Sequence, residues 1–178
     1  MTDNLAIMTI GGGCFWCFNA IFNQVKGVET TETGYMGGTV PGTPTYREVC
    51  SGLTGHAEVV QVTYNPNEIS YKELLIIFLT SHDPTTLNRQ GADVGTQYRS
   101  VIFYHNDSQK QIAQTVVDAV SPYFESPIVT QIAAAEKFHA ADNDHQDFFE
   151  NNPNAGYCNV VISPKLAKLR HMHANKLK

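Results

Sequence analysis

Leu5-Ala6-Ile7-Met8-Thr9-Ile10-Gly11-Gly12-Gly13-Cys14-Phe15-Trp16-Cys17 carries the chain from an apolar, strand-like run through three glycines into an apolar, helix-like one. A nucleophilic sulfur and the only tryptophan of the chain fall at that junction. If Cys14 opens the helix, its sulfur lies near unpaired backbone N–H groups and the positive end of the helix dipole, and both favour thiolate over thiol. A thiol of ordinary pKa, ~8.5, is only about 3% thiolate at pH 7; lowering the pKa to about 6 raises that fraction roughly 30-fold. The glycines let backbone approach a ligand closely, and Phe15 and Trp16 offer it an aromatic wall.

Working outward, strands are predicted at 5–10, at 58–64, where Val60, Val62 and Tyr64 alternate with polar neighbours, and at 99–104. Ser70-Tyr71-Lys72-Glu73 is a capping-box pattern opening a helix with Leu74, Leu75, Ile77 and Phe78 at helical spacing. A second helix is predicted from Asn106 or Asp107, with Ile112, Val116 and Val120 on one face, ending before Pro122. The stretch from Gly34 to Gly55, rich in Gly, Pro and Thr, reads as a long loop, and loops of that length are usually functional or mobile. This order implies an α/β or α+β sandwich around one sheet, with its topology left open.

With 178 residues, 42% of them hydrophobic, the chain is long enough for one core, so a single domain over 1–178 is expected. The net charge is −5, but 163–178 holds five of the twelve Lys and Arg residues and no acid, leaving the first 162 residues at −10. That end reads as a basic C-terminal helix or tail, solvated or docked on an acidic body. No basic stripe interleaved with aromatics points to nucleic acid. The longest apolar run, Leu74 to Leu79, is far short of the ~20 residues of a membrane span, and the N-terminus shows no secretory pattern, so a cytoplasmic location is expected.

Four cysteines are too few for a disulfide scaffold and read as reactive, metal-binding or buried thiols. Cys14 is the candidate nucleophile, against a buried structural role. Cys17 completes a Cys-x-x-Cys that reads as a redox pair or half of a zinc site; no second such pair or suitable histidines follow, so no metal is expected. Cys50 reads as structural, and Cys158, in Gly156-Tyr157-Cys158, as either a packed thiol or one able to swing towards Cys14. Tyr35, Glu58, Asp93 and Tyr98 are polar candidates, each with a plain alternative as loop anchor or solvated side chain. A carboxyl kept protonated in an apolar pocket and flanked by phenols is what an oxygen leaving group requires. The cluster Phe138 to Gln146 reads as a helix N-cap region or the rim of a polar site.

Gly13-Cys14-Phe15-Trp16, Gly34-Tyr35-Met36-Gly37-Gly38, Pro44 to Gly52, Gly55-His56-Ala57-Glu58, His82-Asp83-Pro84, Arg89 to Ser100, Asp144-His145-Gln146 and Gly156-Tyr157-Cys158, in this order, resemble the peptide methionine sulfoxide reductases of the A class. The resemblance implies a two-layer α/β (α+β) sandwich, a mixed sheet with a βαβ core of ferredoxin-like kind. It implies that Cys14 attacks the sulfoxide sulfur, releasing methionine and leaving a sulfenic acid, while Phe15 and Trp16 hold the ε-methyl group. Glu58 would protonate the oxygen, Tyr35 and Tyr98 would hydrogen-bond to it, and Asp93 would order the polar side. The implied substrate is the S epimer of methionine sulfoxide, free or in proteins, the implied reductant thioredoxin, with no cofactor and a monomeric enzyme. Such epimer-specific repair fits the chemistry of methionine oxidation. The chain departs from the commonest family pattern in Cys17-Phe18-Asn19 and in lacking a cysteine beyond Cys158. Cys158 stands at the position of a resolving cysteine, with Cys17 the alternative. Competing readings are a general thiol–disulfide oxidoreductase using Cys14 and Cys17, and a non-catalytic module binding methionine-like side chains through Phe15 and Trp16.

Overall fold

The computed structural model describes residues 4–152 and 154–178, the side chains of Cys158 and Asn159 excepted. β1 (Ala6–Gly11) leads through the glycines into α1 (Phe15–Asn23), followed by β2 (Val28–Met36), α2 (Tyr46–Cys50), β3 (Ala57–Tyr64) and α3 (Tyr71–Thr80). A two-stranded ribbon, β4 (Arg89–Gln90) and β5 (Asp93–Val94), precedes β6 (Val101–Tyr104), α4 (Asp107–Val120), β7 (Gln131–Ala134) and β8 (His139–Ala140). The C-terminal part adds α5 (Phe148–Asn151), π-helical turns over Cys158–Ile162 and α6 (Ser163–His173).

The main sheet runs β7-β6-β1-β3-β2-β8. Only β6 and β7 are parallel; every other neighbouring pair is antiparallel. The architecture is therefore a mixed α/β one with a mostly antiparallel sheet. Because β1 and β2 both run antiparallel to β3, they are parallel to each other with β3 between them, and α1 makes the crossover.

Strand alternation buries both faces of this sheet. Met8, Ile10, Val60, Val62 and Ile102 join the large core with Phe18, Phe22, Leu75 and Phe78 of the helices. The alternate residues Ala57, Val59, Val101 and Phe103 join Met36 in a smaller core on the opposite side. In β3, therefore, Glu58 falls on the helix-covered face in step with Val60 and Val62.

The helix signals act as the sequence implies. Ser70 and Glu73 close the capping box of α3, and the Asn106 side chain accepts from the Gln109 N–H to cap α4. Two sequence readings are corrected, and the C-terminal one is narrowed. Gly34 to Met36 is not loop but the inner end of β2, where Gly34 passes so close to β8 that a Cβ would stand 2.4 Å from the His139 carbonyl oxygen. The glycines around Tyr35 disguised a strand. Thr45 and Glu48 form a second capping box that starts α2 inside the same presumed loop. The basic C-terminus is a docked helix: Leu166 and Leu169 are buried, and Lys176 pairs with Glu73.

Gly11 is fixed by a close approach, since a Cβ there would lie 2.5 Å from the Glu58 carbonyl oxygen, an atom of backbone that cannot yield without moving β3. Gly11→Ala is expected to cost about 1–3 kcal/mol of stability, read as a lower urea midpoint with unchanged slope; a midpoint equal to that of wild type would contradict it.

Candidate active site

Cys14 is the N-cap of α1, in extended backbone, and ends the glycine turn in which Gly13 adopts φ 97°. The Gly13 N–H donates to the Tyr98 carbonyl, tying the turn to the segment after β5. From this start α1 sends Phe15 over the sheet, where the Phe15 N–H donates to the Glu58 carboxyl at 3.1 Å. Tyr35 is the direct cross-strand partner of Glu58, so the phenol and the carboxyl share one sheet face beneath the opening turn of α1. Tyr35 is 1% exposed and its hydroxyl has no hydrogen-bond partner among the described residues. A buried polar group without a partner is costly unless something else arrives to pair with it.

Burial raises the Glu58 pKa from its ordinary 4.5 to about 8, with the Asp93 carboxylate adding to the rise and the Phe15 N–H opposing it. The carboxyl is thus an acid at neutral pH. Burial also pushes up the phenols of Tyr35 and Tyr98, with the Glu58 charge second, so both remain donors. Cys14 runs against the sequence expectation. Its thiol is raised well above the usual range by burial, then by the Glu58 carboxylate and by Cys17, and the backbone N–H of Trp16 recovers only part of this. The helix start supplies a donor, as argued, but the site is too buried for it to dominate.

The aromatic wall is larger than Phe15 and Trp16. Tyr46 of α2 stacks on Phe15 at 6.0 Å and on His145 at 4.1 Å, the Trp16 indole N–H donates to His145 Nδ1 at 3.2 Å, and Phe148 lies flat on the indole at 3.7 Å. The reading of Phe138 to Gln146 as a rim therefore holds for His145, while β8 and a 3-10 turn replace the helix cap. Asp93 closes the ribbon turn and accepts the Tyr157 hydroxyl at 2.8 Å; the same hydroxyl lies 3.7 Å from the Cys17 sulfur. Cys50 stands 3.9 Å from Glu58 through its thiol, although its sequence gave no chemical signal. Tyr46, Phe148, Tyr157 and Cys50 were not legible as site residues; the only hint was that Tyr46, Cys50 and Tyr157 fall within the quoted matching segments.

Cys14, Cys17 and Cys50 are free thiols. The Cys158 side chain lies outside the described residues. Among those residues no cluster of three His, Cys, Asp or Glu is placed to hold a metal ion, and no helix is long and apolar enough to cross a membrane. Cys14 is 5% exposed and meets a cavity of about 270 Å³ lined by Gln90, Gly91, Ala92, Asp93, Tyr157, Val161 and Lys165.

The family described as peptide methionine sulfoxide reductase matches residues 6–177, nearly the whole chain. The chain belongs to that family. It is 53% identical to a peptide methionine sulfoxide reductase MsrA of Deinococcus radiodurans over 94% of this chain and 82% of the relative. Among solved structures, reduced Mxr1 of Saccharomyces cerevisiae is 33% identical with a TM-score of 0.80, covering 89% of this chain and 92% of its own. Methionine sulfoxide reductase A of Corynebacterium diphtheriae is 34% identical with a TM-score of 0.81, over 86% and 78%. Mxr1 has also been solved in complex with Trx2, at 23% identity and a TM-score of 0.56 over 83% and 89%, a likeness of fold.

The raised Glu58 pKa has a thermodynamic signature. Unfolded chains ionise this carboxyl near 4.5 while the native state keeps its proton to about 8, so stability falls as pH rises between those values, by an amount on the order of 5 kcal/mol in all. Glu58→Gln is expected to match wild type near pH 4.5 and to exceed it progressively up to pH 8. Parallel stability curves for the two proteins across that range would show that Glu58 titrates normally.

Proposed function

We propose that this protein reduces methionine S-sulfoxide, free or in proteins, to methionine, as a thiol-dependent peptide-methionine (S)-S-oxide reductase. The observation that carries the reading is a buried thiol, an acid with a pKa of about 8 and an unpartnered phenol gathered at the start of α1. Cys14 sulfur attacks the sulfoxide sulfur. Glu58 gives its proton to the oxygen, held by Tyr35 and Tyr98, the S–O bond breaks, and the thiol proton returns to the Glu58 carboxylate. The oxygen passes to the Cys14 sulfur as the S–S bond made by the attack breaks, its electron pair leaving with methionine, so that Cys14 is left as sulfenic acid; a second thiol then forms a disulfide and expels water. Phe15 and Trp16 receive the methyl group, and Asp93, through Tyr157, orders the polar side.

A protonated Glu58 also removes one of the charges that, after burial, raise the Cys14 pKa, so the thiol and this carboxyl do not ionise together. A plain thiol–disulfide oxidoreductase would leave Glu58 and Tyr35 idle. We read thioredoxin as the reductant, supported by the yeast relative seen in complex with Trx2, and place the protein in the reducing cytoplasm from its sparse cysteines. We also read the sheet as a ferredoxin-like, two-layer arrangement in one domain: the order β6-β1-β3-β2 and the α1 crossover support it.

Cys14→Ser is expected to leave less than about 1% of activity, because a hydroxyl is a poor nucleophile at neutral pH. In single turnovers wild type should act on the S epimer and far less on the R epimer. The rate should fall as pH rises through about 8, where Glu58 loses its proton, and Glu58→Gln should be slower by ~10²–10⁴ and lack that limb. Equal rates on the two epimers, or a wild-type rate for Glu58→Gln at pH 7, would refute the assignment.

For resolution we favour Cys158, since its neighbour Tyr157 lines the same cavity as Cys14. One observation favours Cys17: Cys14 is the N-cap and Cys17 the third helical residue, its N–H bonded to the Cys14 carbonyl at 3.1 Å, so the two lie at a helix start rather than in regular helix. Cys158→Ser should accumulate sulfenic acid and lose most thioredoxin-driven turnover while Cys17→Ser keeps it. Mass mapping that finds a Cys14–Cys17 bridge, with turnover surviving Cys158→Ser, reverses the roles.

A further inference from the structure

We propose that Lys165 makes the cavity above Cys14 a carboxylate-recognising subsite, so that the enzyme favours methionine S-sulfoxide bearing a free α-carboxylate, either the free amino acid or a C-terminal residue. The proposal rests on the functional reading above and names the substrate class for that site.

Three observations carry it. First, the aromatic side of the site is largely filled by the protein itself: Phe15 is 1% exposed, and one face of Trp16 is covered by Phe148. The cavity of about 270 Å³ is an open space that Cys14 itself lines, so the remainder of a substrate whose sulfur sits at Cys14 can extend into it. Second, Lys165 lines that cavity in the first turn of α6, is half-buried, and makes no ion pair or hydrogen bond among the described residues. No acid makes an ion pair with it among the described residues: the Asp93 carboxylate on the same cavity wall accepts the Tyr157 hydroxyl instead, and Glu58 holds its proton to about pH 8. That Lys165 favours the Cys17 thiolate agrees with its charge facing inward. Third, the sizes agree. Four bonds separate the sulfur of methionine sulfoxide from its carboxyl carbon, a span of about 5 Å at ordinary covalent bond lengths, which keeps the carboxylate within a cavity of amino-acid dimensions. A partly buried ammonium with no partner gains most from an anion that arrives with the substrate.

The test uses the full chain, dithiothreitol as reductant, and four probes: free methionine S-sulfoxide, its N-acetyl derivative, its methyl ester, and the N-acetyl methyl ester. Wild type should show kcat/KM about tenfold higher for the two acids than for the two esters, expressed in KM. Lys165→Met should bring the acid-to-ester ratio to about 1, and Lys165→Arg should restore most of it. A peptide with C-terminal methionine sulfoxide, compared with its amide, separates the two sources of carboxylate; preference for either acid form supports the subsite. Equal kcat/KM for acids and esters in wild type, or a ratio that survives Lys165→Met, overturns it. Failure to reduce any of the four probes would instead sink the functional reading on which it stands.

Discussion

Everything in the site follows from one placement, a carboxyl group put on the buried face of a sheet. Glu58 occupies a position of β3 that the strand alternation assigns to the core, opposite Tyr35 and beneath the first turn of α1. An ionised carboxylate there would be costly to keep, so the group holds its proton, oriented by the Phe15 N–H on one oxygen and the Cys50 thiol on the other. The acid is therefore a product of register. Slipping β3 by one residue against its neighbours would send Glu58 to the other core and put Ala57 or Val59, according to direction, in its place.

The same burial governs the nucleophile. A helix start is commonly read as a device for making thiolate, and Cys14 does sit at one, yet desolvation outweighs the local N–H. Thiol and carboxyl are coupled: each is harder to ionise while the other is charged, so burial and this coupling both favour the protonated pair. This arrangement suits oxygen transfer better than rapid disulfide exchange, where a standing thiolate is the main need.

Much of the frame was legible because local chemistry and global position agree. The Ser70–Glu73 box, the Asn106 cap and the alternation of Val60, Val62 and Tyr64 each name an element that the structure contains. The strand β2 was not read at all, and its inner end was taken for loop because Gly34 is there for close passage past β8 rather than for strand propensity. Tyr35 was seen as a loop tyrosine for the same reason. Within the site, Cys14, Glu58 and Tyr35 come together as the residue chemistry and the resemblance implied. The outer wall does not follow from sequence, since Tyr46, His145 and Phe148 are joined only by the approach of distant segments. No periodicity encodes such contacts.

The stack of Phe148 on Trp16 has a practical corollary. Trp16 is the only indole in the chain, so the protein's indole emission comes from its pocket and from nowhere else. One face of that chromophore lies on Phe148, and its ring nitrogen is engaged by an imidazole whose pKa burial holds down. Movement of α5 and protonation of His145 each alter a different side of the same fluorophore. The molecule is, in effect, labelled at the one point where an optical signal is most worth having.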